Sequence, residues 1–204
     1  MQPKSQNITD VPSLVSNDDR RARYGHRGGV LWFTGLPGSG KATLATALER
    51  ALFNDGYRVM KLQSSDFRRG ICSDLGFSHD ARREHIRRVG EVAALAAHGG
   101  LVVLTAFISP YAADRAGARR AVGEGFHEIF LNPGLDVCEA RDTMGVYARA
   151  RAGEIKDFTG VSAPYEEPSS PDIVIDTGVT TVAESLTILQ EYADRVLRPG
   201  APQG

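Results

Sequence analysis

Apolar residues in this chain fall in two alternating patterns, short unbroken runs and four-residue steps. "VLWFT" (Val30–Thr34) is a run of strand length with no polar interruption, so it predicts a buried strand. Leu44, Leu48 and Leu52 recur at i+4 spacing and predict a helix that stops near Asn54-Asp55-Gly56. "RVMKL" (Arg58–Leu62) predicts a second strand, followed by a polar loop. Ala81 to His98 predicts a helix with Ile86, Val89 and Leu95 on its buried face and Gly99-Gly100 as its stop. Further strands are predicted at "LVVLTAF" (Leu101–Phe107), "HEIFL" (His127–Leu131) and "DIVID" (Asp172–Asp176), with helices over 112–121, 135–141 and 182–197. Strands alternating with helices predict an α/β fold, a doubly wound parallel sheet with helices on both faces. Ligands in such sheets bind beyond the carboxyl ends of the strands. Residues 1–24 show no sustained period and are expected to form a flexible or loosely docked arm; 25–198 make a single domain, and 199–204 a frayed tail.

Composition narrows the function classes. The 204 residues are 42% hydrophobic and 24% charged, which is a globular balance. A net charge of −1 supplies no general field for nucleic acid, so any anion site must be a local cluster. The two cysteines, Cys72 and Cys138, match neither a disulfide framework nor a metal-ligand spacing, and suit a reducing cytosol. No apolar run reaches the ~18 residues of a membrane span, and no signal peptide opens the chain. A cytoplasmic protein with no membrane partner is expected.

The strongest local signal is "GLPGSGKATLA", running from Gly35 to Ala45 between an apolar strand and a helix. Gly35-x-x-x-x-Gly40-Lys41 in that setting is a phosphate-binding loop, which makes the predicted fold one of P-loop type. Its glycines let backbone N–H groups converge on an anion, the helix N-terminus adds its dipole, and Lys41 reaches the outer phosphates. The ATP contacts expected from this stretch are Gly35, Leu36, Pro37, Gly38, Ser39, Gly40, Lys41, Ala42 and Thr43. Ala42 breaks the pattern. A Ser or Thr hydroxyl normally ligates Mg²⁺ at that position, and a methyl group cannot. Thr43 is displaced by about 100° around the helix and does not simply replace it. The metal site is therefore expected to be weakened or absent, with no certain protein ligand.

The stretches "GHRGGVLWFTGLPGSGK", "SDLGFS", "IRRVGEV", "GLVVLTAFISP", "VCEARD", "ARAGEIKDFTG" and "APYEEP" together resemble the adenylyl-sulfate kinases. These enzymes phosphorylate the 3′-hydroxyl of adenosine 5′-phosphosulfate (APS) to give PAPS. The resemblance covers about Gly25 to Asp176 and implies ATP/ADP and APS/PAPS as small-molecule partners, a place in sulfate assimilation, and a homodimer as a common state. It implies that Phe77 and Phe158 sandwich the APS adenine, and that Arg68 and Arg82 bind the phosphosulfate. Ile108 and Ser109 fall at the acceptor site. Ser109 is carried as a catalytic candidate beside Lys41, with a positioning role preferred over a phosphorylated intermediate. Arg141 and Asp142 frame the ATP adenine. Arg149, Arg151 and Lys156 form a basic lid.

Several positions depart from that pattern. The family's "DGDN" is replaced by "QSSD", so Gln63 stands for the first aspartate and Ser65 for the second. Glutamine accepts a hydrogen bond but is no base at neutral pH. Asp66 keeps one carboxylate in a shifted place and is the remaining catalytic candidate; in an extended segment it needs the loop to reshape. His85 replaces an asparagine among the substrate contacts, Met144 a lysine, and Ala148 the first lysine of the lid. Three readings stay open: an adenylyl-sulfate kinase of reduced activity, a catalytically weak paralogue that binds APS, PAPS or ADP, and a repurposed transferase acting on another adenylated or sulfated acceptor.

Overall fold

The computed structural model describes residue 9 and residues 11–198; the expected tail at 199–204 lies outside the described residues, as do 1–8 and residue 10 of the arm. Five strands form one wholly parallel sheet: β1 (Gly29–Thr34), β2 (Val59–Gln63), β3 (Val102–Ala106), β4 (Phe126–Leu131) and β5 (Ile173–Ile175), in the order β2-β3-β1-β4-β5. β1 is central and every one of its residues is buried, as its unbroken apolar run requires.

The pleat of β1 divides the core in two. Leu31 and Phe33 face α2 (Lys41–Asn54) and α8 (Val182–Leu197), where Leu44, Leu48, Leu52, Leu189 and Leu197 close one layer. Val30 and Trp32 face α4 (His79–His98) and α5 (Ala112–Val122), against Ile86, Val89, Ala93 and Val122. On α4 the buried stripe runs His85, Ile86, Val89, Gly90, Ala93, Ala94 and Ala97. Leu95 is not part of it. Its side chain is 74% exposed, against the expectation from i+3/i+4 spacing, because the small residues Gly90, Ala93, Ala94 and Ala97 carry the contact face instead. Gly90 lies so close to α5 that a Cβ there would sit 3.1 Å from Ala118.

One further expectation is corrected, and the arm gains an element. The polar stretch after β2 is a helix, α3 (Ser64–Arg69), so the alternation of an extended segment does not apply to Asp66. The arm contains α1 (Asn17–Tyr24), held by a capping box between Ser16 and Asp19 and docked by Arg20 on the Gly99 carbonyl and by Tyr24 under Arg58. Its sequence is too short and too polar to show a period. Among the described residues, no helix is long and apolar enough to cross a membrane.

One buried ion pair ties α5 to the sheet. Arg115 is 3% exposed and donates from Nε to Glu128 Oε1 at 2.7 Å, from Nη1 to the Ser109 carbonyl at 2.8 Å and from Nη2 to the Glu166 carbonyl at 2.7 Å. Removing one partner of such a pair leaves an uncompensated buried charge. Arg119 stays 3.6 Å from Glu128 and offsets part of it. Arg115→Met is therefore expected to lower the unfolding free energy by about 3 kcal/mol, the low end for a broken buried pair. Urea denaturation checks this; a loss under about 1 kcal/mol would mean that Arg119 takes over the charge.

Candidate active site

The loop that follows β1 folds back on its own lysine. Lys41, the first residue of α2, is 8% exposed, and its Nζ donates to the Gly35 carbonyl (2.8 Å), the Leu36 carbonyl (2.6 Å) and Ser39 Oγ (3.1 Å). Two glycines make this path possible. Gly35 (φ +148°) sits where a Cβ would lie 2.5 Å from the Leu131 carbonyl, and Gly38 (φ +79°) where one would lie 2.8 Å from the Cys138 carbonyl. Burial disfavours the charged ammonium and pushes the Lys41 pKa down to about 7. A phosphate placed in the loop would pull it up again.

Beside the loop lies a cavity of about 720 Å³ lined by Pro37, Gly38, Gly40, Lys41, Ala42, Thr43 and Arg141, with Thr177, Thr180 and Thr181 opposite. Arg141 donates to Thr177 Oγ1 (3.1 Å) and the Thr177 carbonyl (2.6 Å), and Thr177 in turn donates to the Ser39 carbonyl (3.0 Å). The far end of the cavity is thereby tied to the loop. Asp142 does not line this cavity; it accepts the Tyr147 N–H at 2.6 Å and so holds the start of α7 (Val146–Arg151). No carboxylate lines the cavity, and Ala42 brings no oxygen. The side-chain oxygens of its lining are the hydroxyls of Thr43, Thr177, Thr180, Thr181 and Ser185.

A second cavity, of about 670 Å³, lies on the other side of Lys41. It is lined by Arg68, Phe77, Arg82, His85, Ile108, Ser109 and Phe158, all of them expected from the sequence, and by Ser64, Glu154, Lys156 and Thr159. Pro37, Lys41, Ala106 and Ile108 line both cavities, so the two meet at the lysine. Phe77 is 66% exposed, with the Arg68 guanidinium 4.0 Å from its ring centroid. His85 is 4% exposed; its Nε2 lies 3.4 Å from Ser64 Oγ, and Nδ1 has no partner. Burial, then Arg68 and Arg88, push its pKa down to about 4, so the ring is neutral at pH 7.

Ser109 is 1% exposed and adopts φ +42°, a left-handed conformation that a serine holds only at a cost. Its hydroxyl accepts from Trp32 Nε1 (3.1 Å) and donates to Thr34 Oγ1 (3.1 Å). Thr34 spends its own proton on the Ile108 carbonyl (2.7 Å), so the Tyr165 hydroxyl, 2.9 Å away, must donate to it. The proton of Ser109 is thus committed inside the protein.

Asp66, Gln63, Arg149, Arg151 and Met144 stand outside both cavities. Asp66 is exposed. Arg149 pairs with Glu154 at 3.1 Å, and Arg151 pairs with Glu139. Met144 is 82% exposed. Conversely, Thr177, Thr159 and Arg115 escaped the sequence reading. Only Thr177 carried a signal, its place just past the carboxyl end of the last strand.

Comparison with known proteins identifies the family. A family model described as adenylylsulphate kinase matches residues 27–176. The adenylyl-sulfate kinase of Prochlorococcus marinus is 51% identical over 183 residues, covering 89% of this chain and 91% of that one. That of an Enterobacter species is 53% identical over 177 residues, covering 86% and 88%. The structure of the Mycobacterium tuberculosis APS kinase CysC in complex with AMPPNP and APS superposes with a TM-score of 0.78 at 41% identity, covering 82% of this chain and 98% of that one. Motifs, parallel sheet and paired cavities meet in one assignment: the chain belongs to the adenylylsulphate kinase family.

Proposed function

We propose that this protein transfers the γ-phosphoryl group of ATP to the 3′-hydroxyl of APS, yielding PAPS and ADP, at a rate limited by Ala42 and Gln63. The observation that carries the reading is the shared wall. ATP phosphates held by the loop and an acceptor in the second cavity would meet at Lys41, which lines both. Lys41 would exchange its loop oxygens for phosphate oxygens and neutralise charge on the moving group. Arg141 and Thr177 would hold the ATP adenine end. Phe77 and Phe158 would stack the acceptor adenine, with Arg68, Arg82 and Lys156 facing its anionic group. His85 and Ile108 would complete that pocket, and Ser109 would shape it as a positioning residue. A cytoplasmic location and a homodimer belong to the same reading.

Phosphoryl transfer depends on positioning and on cations around the transferred group, and less on an early base. That is why a chain lacking the family aspartate can retain turnover. One observation favours a second reading, a paralogue that binds these nucleotides without turning them over: Glu154 is the one carboxylate lining either cavity, and it already faces Arg149.

A coupled ADP-release assay with APS and Mg·ATP separates the two. The double variant Gln63→Asp with Ala42→Ser is expected to raise kcat by about 10²-fold, the low end of what a positioned base contributes. Absence of turnover in both proteins, with APS still bound by calorimetry, would decide for the binding reading.

The depressed pKa of Lys41 yields a pH prediction. At pH 8 the free protein carries Lys41 mostly neutral, since its pKa is about 7. Bound phosphate favours the charged form, so binding takes up a proton. The calorimetric enthalpy of ATP binding at pH 8 is then expected to differ between buffers of high and low ionisation enthalpy, and the difference to vanish near pH 6 for Lys41. Equal enthalpies at pH 8 would show that the lysine is already charged.

A further inference from the structure

Arg82 sits in the first turn of α4, four residues past its cap Ser78, and its guanidinium touches both aromatic walls of the second cavity through the backbone. Nε donates to the carbonyl of Phe77 at 2.8 Å, Nη2 to the carbonyl of Asp157 at 2.6 Å, and Nη1 to Thr159 Oγ1 at 3.2 Å. Asp157 and Thr159 flank Phe158 on either side. One planar fork therefore spans the gap from the residue that bears the first ring to the turn that bears the second.

The turn around Phe158 closes on itself, and the Phe158 ring meets Tyr147 edge-on at 4.9 Å between centroids. Phe158 N–H donates to Ser162 Oγ at 3.0 Å, and the amides of residues 161, 162 and 163 all return to the Phe158 carbonyl. Asp157 enters it at φ +54°, a conformation unfavourable for a residue with a side chain. Such a turn keeps its own shape but does not by itself fix its distance from α4. The Arg82 fork does. Arginine has five N–H donors, and three are engaged here, which leaves two for an anion unless the fork lets go. Lysine, a point charge on a flexible stem, cannot reproduce a three-way link in a plane.

We infer that Arg82 is a positioning residue that sets the width of the slot between Phe77 and Phe158, so that the slot is formed before any acceptor arrives. The inference rests on the reading that an adenine occupies this slot. It goes beyond a charge contact to the phosphosulfate, because it requires Arg82 to matter for a ligand that carries no charge at all.

The test uses the full chain and three proteins: wild type, Arg82→Lys and Arg82→Ala. Hydrogen–deuterium exchange of the free proteins should show faster exchange in residues 75–79 and 155–163 of both variants, with the rest of the sheet and helices unchanged. Calorimetry with adenosine, which has no phosphosulfate, should show about tenfold weaker binding in both variants, within the range expected for loss of base stacking. Arg82→Lys should be no better than Arg82→Ala, since the charge is kept and the fork is lost. If instead exchange and adenosine affinity are unchanged and only APS binds less well, with lysine rescuing part of the loss, Arg82 is an anion ligand alone and the inference falls. Failure of the wild-type protein to bind APS would overturn the acceptor reading, while the exchange measurement would still decide whether Arg82 links the two walls.

Discussion

A buried lysine amine that the chain itself must hydrogen-bond is the constraint from which the site follows. Lys41 is nearly removed from water, and an unpaired charge there would be prohibitively expensive. The loop answers by turning the Gly35 and Leu36 carbonyls and the Ser39 hydroxyl inward onto it. That turn demands the left-handed glycines, the close seat against β4 and α6 (Leu135–Ala140), and a rigid platform below. The platform is β1, buried along its whole length, with Leu44, Leu48 and Leu52 pinning α2 to one face of the sheet. Apolar packing thus decides where the lysine amine stands.

A second polar cluster plays the corresponding role beside the second cavity. Arg115 braces the turn at Ser109 and the segment at Glu166, while Trp32, Thr34 and Tyr165 close around the Ser109 hydroxyl. The strained backbone of Ser109 persists because these bonds over-determine it. A hydroxyl with its proton committed to Thr34 and its lone pair engaged by Trp32 is poorly placed to attack a phosphate. It is well placed to hold Ile108 on the wall that both cavities share. The positioning role suits this geometry better than a phosphorylated serine does.

What the sequence disclosed follows the range of the forces involved. β1, α2 and the phosphate loop were legible because run length, i+4 spacing and glycine placement are local. Arg68, Phe77, Arg82, His85, Ile108 and Phe158 came from motif resemblance and do meet in one cavity. Leu95 misled because helix periodicity cannot say which of two adjacent stripes is buried; on α4 the stripe of small residues won, since α5 approaches too closely for a leucine. α3 was hidden by the polar run Ser64-Ser65-Asp66, whose only apolar anchor is Phe67. Arg115 was invisible for another reason. One arginine among the three on α5 carries no sign that three partners, from Ser109 to Glu166, will converge on it after folding.

The positions read as departing from the family pattern differ in what the empty protein asks of them: His85 is buried against Ser64, whereas the side chains of others hydrogen-bond to nothing among the described residues. Lys41, Ser109 and Arg82 each make hydrogen bonds inside the protein, so the fold itself needs them in the absence of any ligand. Ala42 is exposed at the mouth of its cavity, Met144 is 82% exposed, and Gln63 caps α3 without a side-chain bond. A change at any of these three removes no side-chain hydrogen bond from the folded protein. The dividing line runs between side chains that the empty protein uses for its own bonding and side chains that it does not.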